Sequence, residues 1–259
     1  TSITRPDAVQ RAVMGAEVVV NLVGILAEKK PGDFKRIHTD AAGLVATAAA
    51  SCGVQHLVHL SAMGASAASP SLYAQSKAAG EAAVRQAFPS AVILRPSVVF
   101  GYEDGFFNRF AHMAQVLPRL PVFAAGTKFQ PVYVGDVADA VMAGLLPPAA
   151  GKSFDLGGPQ VMTMRDILEY VQDKTNRRAG MIPVPMWYLK LMAPLLEKLP
   201  GQLLTRDQLI LLGRDNVMTP GAEGLPALGI TPTPVDAVVP AYLHRYRPGG
   251  GPVSRYKSA

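Results

Sequence analysis

Tyr73 and Lys77 stand four residues apart in Tyr73-Ala-Gln-Ser-Lys77, downstream of an apolar run that ends at His59-Leu-Ser61. At that spacing two side chains lie one above the other on a helix face. An ammonium beside a phenol favours the phenolate, so such a pair can exchange a proton near neutral pH. Spacing alone is a weak signal, because Tyr170-Val-Gln-Asp-Lys174 repeats it on a second expected helix where no chemistry is foreseen. The order of neighbouring elements separates the two. Tyr73 follows a strand and a small-residue loop, Ser61 to Ser71, and its helix carries Gly80-Glu81. A further strand, Ala91 to Leu94, ends in Arg95-Pro96-Ser97.

Those elements belong to a longer alternation. Arg5-Pro6-Asp7 places proline in the first turn of a helix that Gly15 ends. Ala16 to Val23 is a β-branched run of the kind buried on both faces of a parallel sheet. An alanine-rich helix from about Phe34 to Ser51 stops at Gly53, and His56 to Leu60 forms the next strand. A helix from about Leu72 to Phe88 leads to the strand at 91–94. The alternation β-α-β-α-β predicts a parallel sheet with right-handed crossovers. Beyond Gly101 the pattern loosens. Helices are expected over Phe106–Leu117, from Gly135-Asp136 to Leu146, and over 164–174 with Thr163 as its cap. Short strands are expected at Gln130–Val134 and Lys152–Leu156.

Size and composition bound the function classes. The 259 residues are 49% apolar and 17% charged, enough for one large α/β domain or a domain with a lobe. Lys and Arg outnumber Asp and Glu by 25 to 19, a net charge of +6. The cations are scattered, without a basic stripe interleaved with aromatics, so nucleic acid is a poor partner. An anionic cofactor, an acidic partner, an anionic membrane face or plain solvent would each suit that surface. The single cysteine, Cys52, rules out an internal disulfide framework and reads as a small packing residue. No apolar run reaches the roughly 18 residues of a membrane span.

His38, His56, His59, His112 and His244 show no metal-ligand spacing, and no metal is expected. His56 and His59 read as edge or packing residues, and Asp136 as a helix cap. Arg95 can bind an anion or pair with a carboxylate. Trp187, Leu189, Met192, Leu195, Leu196 and Leu199 form a broad apolar helical face flanked by Lys190 and Lys198. That face reads either as the core of a small lobe or as a docking surface for a partner subunit or membrane interface.

Val20-Asn21-Leu22-Val23-Gly24 resembles the Asn-x-Ala-Gly segment of the short-chain dehydrogenase/reductases. Arg95 to Gly101 resembles the Arg-Pro-x-x-Val-Tyr-Gly segment of the extended members, and Pro131 to Ala138 their later strand-plus-aspartate signature. A narrower likeness runs through Gly15–Ile25, Ala87-Phe88-Pro89, Phe100–Asp104, Gln130–Val134, Gly151–Phe154 and Leu204-Thr205-Arg206-Asp207-Gln208. These stretches resemble the dehydrogenase-like accessory subunit of respiratory complex I, in an alphaproteobacterial style.

The resemblance implies a Rossmann-like parallel sheet with a small C-terminal α/β lobe. Residues 1–150 would be the nucleotide-binding domain and 151–247 the lobe, with some lobe elements interleaved from 101–135. Residues 248–259 would be a flexible tail. It implies NADPH as cofactor, with NADH as the alternative. The residues implied to hold it are Asn21, Leu22, Val23, Gly24, Leu60, Ser61, Tyr73, Lys77, Pro96, Ser97, Val98 and Val99. Tyr73, Lys77 and Ser61 are vestigial catalytic candidates, because Ala62 and Met63 stand where extended members carry the substrate-holding hydroxyl. This favours a non-catalytic, structural subunit of proton-pumping NADH:quinone oxidoreductase. It would sit among peripheral-arm subunits at the cytoplasmic face of a bacterial inner membrane, with a possible membrane contact. A free-standing NAD(P)-dependent epimerase or reductase is the competing expectation.

One family feature is missing. No glycine-rich dinucleotide fingerprint follows a strand here. The resemblance therefore implies that the family's first βα units are absent, very roughly 60 residues. The strand at 16–23 would then carry an unpaired apolar edge, unless another chain or a rearranged sheet covers it.

Overall fold

The computed structural model describes residues 2–197 and 205–250. Lys198, Leu199, Leu204, the Leu196 side chain and the tail from 251 onward, which the sequence reading drew on, lie outside the described residues.

In chain order the elements open with α1 (Pro6–Val13), β1 (Val18–Asn21), a π-helical turn (Lys35–Asp40) and α2 (Ala41–Ser51). Next come β2 (His56–Leu60), α3 (Leu72–Ala87), β3 (Val92–Pro96), β4 (Val99–Phe100) and α4 (Phe107–Val116). β5 (Arg119–Val122), β6 (Lys128–Phe129), β7 (Val132–Tyr133), α5 (Val134–Ala143) and β8 (Ser153–Leu156) follow. The last group is β9 (Met162–Thr163), α6 (Met164–Thr175), β10 (Gly180–Pro183), α7 (Met186–Leu196), α8 (Arg206–Leu212) and α9 (Val235–Leu243).

β1, β2, β3 and β8 form one sheet in that order, every pair parallel. This is the α/β, Rossmann-like architecture foreseen from the alternation. α2 and α3 cover one face, where Ala42, Ala46, Ala49, Leu57, Val84 and Ile93 pack together. Alanines on α2 bring its backbone close to the sheet. α5 covers the opposite face through Val137 and Ala140, against Val58, Val92 and Leu94. A second core joins α4, α6 and α9 around Phe107, Ile167, Val171 and Tyr242.

β1 departs from the expectation of a strand buried on both faces. Val19 packs beneath the helices, but Val18 and Val20 are 37% and 38% exposed. Its one hydrogen-bonded neighbour among the described residues is β2. The expected strand at 130–134 is also shorter, since α5 already begins at Val134.

The helix from Phe34 to Ser51 begins with a π turn that presses on α3. Gly80 makes the contact possible: a Cβ there would lie 2.0 Å from the His38 carbonyl oxygen. π turns recur at functional sites, and this one aims His38 at the C-terminal ends of the strands.

Candidate functional site

The C-terminal ends of β1, β2 and β3 open toward the N-terminal half of α3. In parallel sheets this is where ligands bind. Asn21, at the end of β1, is buried and opposite His59 of β2. Its Oδ1 accepts the Val23 N–H at 3.1 Å, which fixes the amide's orientation. Its Nδ2 then donates to His59 Nδ1 at 3.2 Å. His59 therefore carries its proton on Nε2, which is buried and without a hydrogen-bond partner. Ser61, two residues on, has a buried hydroxyl in the same condition. These two atoms are the buried side-chain nitrogens and oxygens found unpartnered among the described residues.

Lys77 is 5% exposed and donates from Nζ to the Leu60 carbonyl at 3.0 Å. Burial lowers it to about 8, with Glu81 partly holding it up. Gly24 lies across from it: a Cβ there would sit 3.5 Å from Lys77 Nζ and 3.6 Å from His38 Nε2. His38 accepts the Ile25 N–H on Nε2 at 3.0 Å, so its proton sits on Nδ1 and is donated to Ser76 Oγ at 2.9 Å. Ser76 passes its own proton to the Tyr73 carbonyl at 2.8 Å. Burial, then the charge of Lys77, brings His38 down to about 4 and His59 to about 3. Both rings are neutral at physiological pH.

The phenolate expected from the Tyr73–Lys77 spacing is not what the structure holds. Burial pushes the Tyr73 phenol up to about 12, and the Asp207 carboxylate pushes in the same direction. The ring packs edge-on against Phe34 and His38, at 5.7 and 5.3 Å between centroids. Desolvation outweighs the attraction of an ammonium that is itself engaged by a backbone carbonyl.

At the end of β3 the foreseen residues are engaged elsewhere. Pro96 is buried and its carbonyl accepts the Met63 N–H at 2.9 Å. The Ser97 hydroxyl donates to Asn216 Oδ1 at 2.6 Å. Val98 and Val99 are half-buried against the two cores, while Leu22 and Val23 are 59% and 41% exposed beside the site. Arg95 pairs with Glu81 at 2.6 Å and approaches Asp155 at 3.7 Å, which resolves its two readings in favour of a carboxylate partner. Asp136 accepts the Thr233 N–H and hydroxyl, both at 2.7 Å, so it ties a loop to the first turn of α5.

Three residues entered the site without having been assigned to it. His59 had read as packing, since a strand pattern carries no sign of its bond to Asn21. Asn216 and Asp207 arrive from far along the chain. Among the described residues no cluster of His, Cys, Asp or Glu is arranged to hold a metal ion.

The profile of the RmlD substrate binding domain matches residues 2–185. The chain belongs to that family. Within it, the chain is related over most of its length to a subunit of respiratory complex I. The Mus musculus mitochondrial NADH dehydrogenase [ubiquinone] 1 alpha subcomplex subunit 9 is 34% identical over 245 residues, 93% of this chain and 65% of that protein. The Dictyostelium discoideum subunit of the same name is 30% identical over 247 residues, covering 94% and 69%. The chain thus spans about two thirds of the length of these relatives. In three dimensions it is similar to the dTDP-glucose 4,6-dehydratase DesIV of Streptomyces venezuelae, solved with NAD and TYD bound. The TM-score is 0.72 at 16% identity, over 95% of this chain and 77% of that one. The RmlD-family match stops at 185, so α7, α8 and the Asn216 strap lie beyond it.

Proposed function

We propose that this chain is an accessory subunit of a proton-pumping NADH:quinone oxidoreductase, and that it holds NADPH without turning it over. Residues 1–150 would carry the nucleotide, residues 151–247 the lobe that faces neighbouring subunits of the peripheral arm. Kinship with the complex I subunits supports the assembly. The state of the tyrosine–lysine pair supports holding rather than turnover: a phenol pushed up to about 12 cannot cycle its proton near neutrality.

The residues fit the nicotinamide–ribose end of a dinucleotide. Gly24 leaves room beside an ammonium, and Ser61 and His59 keep buried polar atoms without partners. Groups of that kind are costly unless something answers them. Lys77 would donate to ribose hydroxyls, Tyr73 as a neutral phenol would donate beside it, and the Asn21–Gly24 turn would line the approach. NADPH, when bound, supplies a transferable hydride. The chain's own part is to bind, orient and shield. Its binding to the folded state alone would stabilise the subunit.

α7 supports a place beside a partner or membrane surface. Leu189 and Ala193 face inward, while Trp187, Leu191 and Leu195 form an outward stripe at 68%, 70% and 59% exposure. No helix among the described residues is long and apolar enough to cross a membrane. We place the subunit at the cytoplasmic face of a bacterial inner membrane.

Two measurements test the reading. The protein should copurify with membrane flavin and iron–sulfur proteins, and NADPH mixed with it and small carbonyls should keep its absorbance. A free, soluble protein with sustained NADPH consumption would overturn it.

A further inference from the structure

Asp207 reaches the tyrosine helix from the opposite end of the chain. Its Oδ1 accepts the Leu72 N–H at 2.6 Å. Its Oδ2 accepts the Ser71 hydroxyl at 2.8 Å and the Tyr73 N–H at 3.2 Å. Ser71 alone already caps α3, its hydroxyl accepting the Ala74 N–H at 3.2 Å. The carboxylate therefore does more than complete a cap. It brings a full negative charge to the first turn of α3 and binds the Tyr73 amide itself.

α8 is built to deliver that charge. Thr205 and Gln208 form a capping box at its start. Leu209 is 2% exposed and packs with Leu189 and Ala193 of α7. Gln208 also donates to the Leu26 carbonyl at 3.4 Å, so α8 touches both walls of the site, α3 and the loop after β1. All of this lies beyond residue 185, where the match to the RmlD family ends.

We propose that α8 is an autoinhibitory catch, in which Asp207 clamps the first turn of α3 and sets a fixed negative charge beside Tyr73. This rests on the non-catalytic, nucleotide-holding reading of the site. The charged and titratable groups around Tyr73 are Lys77 on its own helix, His38 on the π turn and Asp207 on α8. Lys77 is directed to the Leu60 carbonyl and His38 is neutral, each nitrogen of its ring engaged. Asp207 is thus the charge left to act on the phenol, and it acts against ionisation. Asp207 is a positioning residue, since its contacts are with the helix backbone and the Ser71 hydroxyl.

The test is a pH titration of Tyr73 by NMR with ring-labelled tyrosine, on the nucleotide-free full chain. Asp207→Asn keeps the shape and a carbonyl for Leu72, and Asp207→Glu keeps the charge. Tyr73 should ionise near 12 in the native chain and move toward its ordinary 10 in D207N, with D207E staying near the native value. Gln208→Ala, which cuts only the tie to Leu26, should leave the titration where it was. If D207N does not fold, Leu209→Ala takes its place: it loosens α8 with Asp207 intact and should move Tyr73 the same way. A Tyr73 midpoint unchanged when the charge is removed or α8 is loosened overturns the proposal. Because no nucleotide is present, that result would leave the binding reading standing, and a failure of NADPH to bind would leave the catch standing.

Discussion

Replacing Gly80 with alanine sets two effects of known sign against each other. Alanine is favoured over glycine inside a helix by about 1 kcal/mol. At Gly80 the added methyl would lie 2.0 Å from the His38 carbonyl oxygen and 3.1 Å from its carbon. A carbon–oxygen contact needs about 3.3 Å, so α3 and the π turn must part by roughly 1.3 Å. The obstructing atoms are backbone and cannot rotate away. Overpacking of this kind costs about 1–3 kcal/mol and sometimes more. We therefore expect Gly80→Ala to lose about 1–2 kcal/mol net. Gly43→Ala is the control: its methyl would meet the Ala83 methyl at 3.1 Å, a neighbour that can yield. There the helix gain should offset the crowding and leave stability within about 0.5 kcal/mol of native. Urea unfolding reads both, as a lower midpoint for G80A at unchanged slope. A G80A protein as stable as the native one would refute the packing of α3 on the π turn.

Other expectations follow from the same site. His38 and His59 are brought down to about 4 and about 3 from an ordinary 6.5, so the unfolded chain takes up their protons first as pH falls. Stability should be intact above 6.5 and fall steadily toward 4; at about 1.4 kcal/mol per decade, His38 alone removes on the order of 3 kcal/mol. Thermal melts across that range check it, and a flat profile would contradict it. Lys77 is lowered to about 8 from 10.5, so its proton leaves the folded chain first as pH rises. Between those values the folded state gains stability, while NADPH affinity, which needs the ammonium, should weaken; affinity constant up to pH 10 would count against Lys77 as a ligand. Arg95→Met strands Glu81 and Asp155, whose side chains are 8% and 3% exposed. Breaking a buried pair in this way costs about 3–5 kcal/mol, and adding Glu81→Leu should recover part of it in denaturant titrations.

The sheet was legible because its signals are local. The runs at His56–Leu60 and Ala91–Leu94 and the alanine-rich helix before them fixed the order β1-α2-β2-α3-β3 through period and punctuation alone. β5 and β10 escaped notice: each is short, and Pro121 and Pro183 mask the strand character of the pair they form. Val18 and Val20 misled for a different reason, since a β-branched run shows what a strand can bury and not what stands over it. In the site, Tyr73, Lys77 and Gly24 could be named from spacing and resemblance. The direction of the Tyr73 shift could not, because it depends on burial and on Asp207, more than 130 residues away in sequence. Ser97 is a similar case, its hydroxyl engaged by Asn216 across the fold.

The central claim is that a dinucleotide rests against Lys77 and Gly24 and is not consumed. The most direct measurement is the nucleotide content of the native membrane assembly purified with this subunit, compared with the same assembly carrying Lys77→Ala. We predict NADPH in stoichiometric amount with the native chain and little with the variant, while the subunit remains assembled. Equal nucleotide in both assemblies, or none in either, would contradict the account.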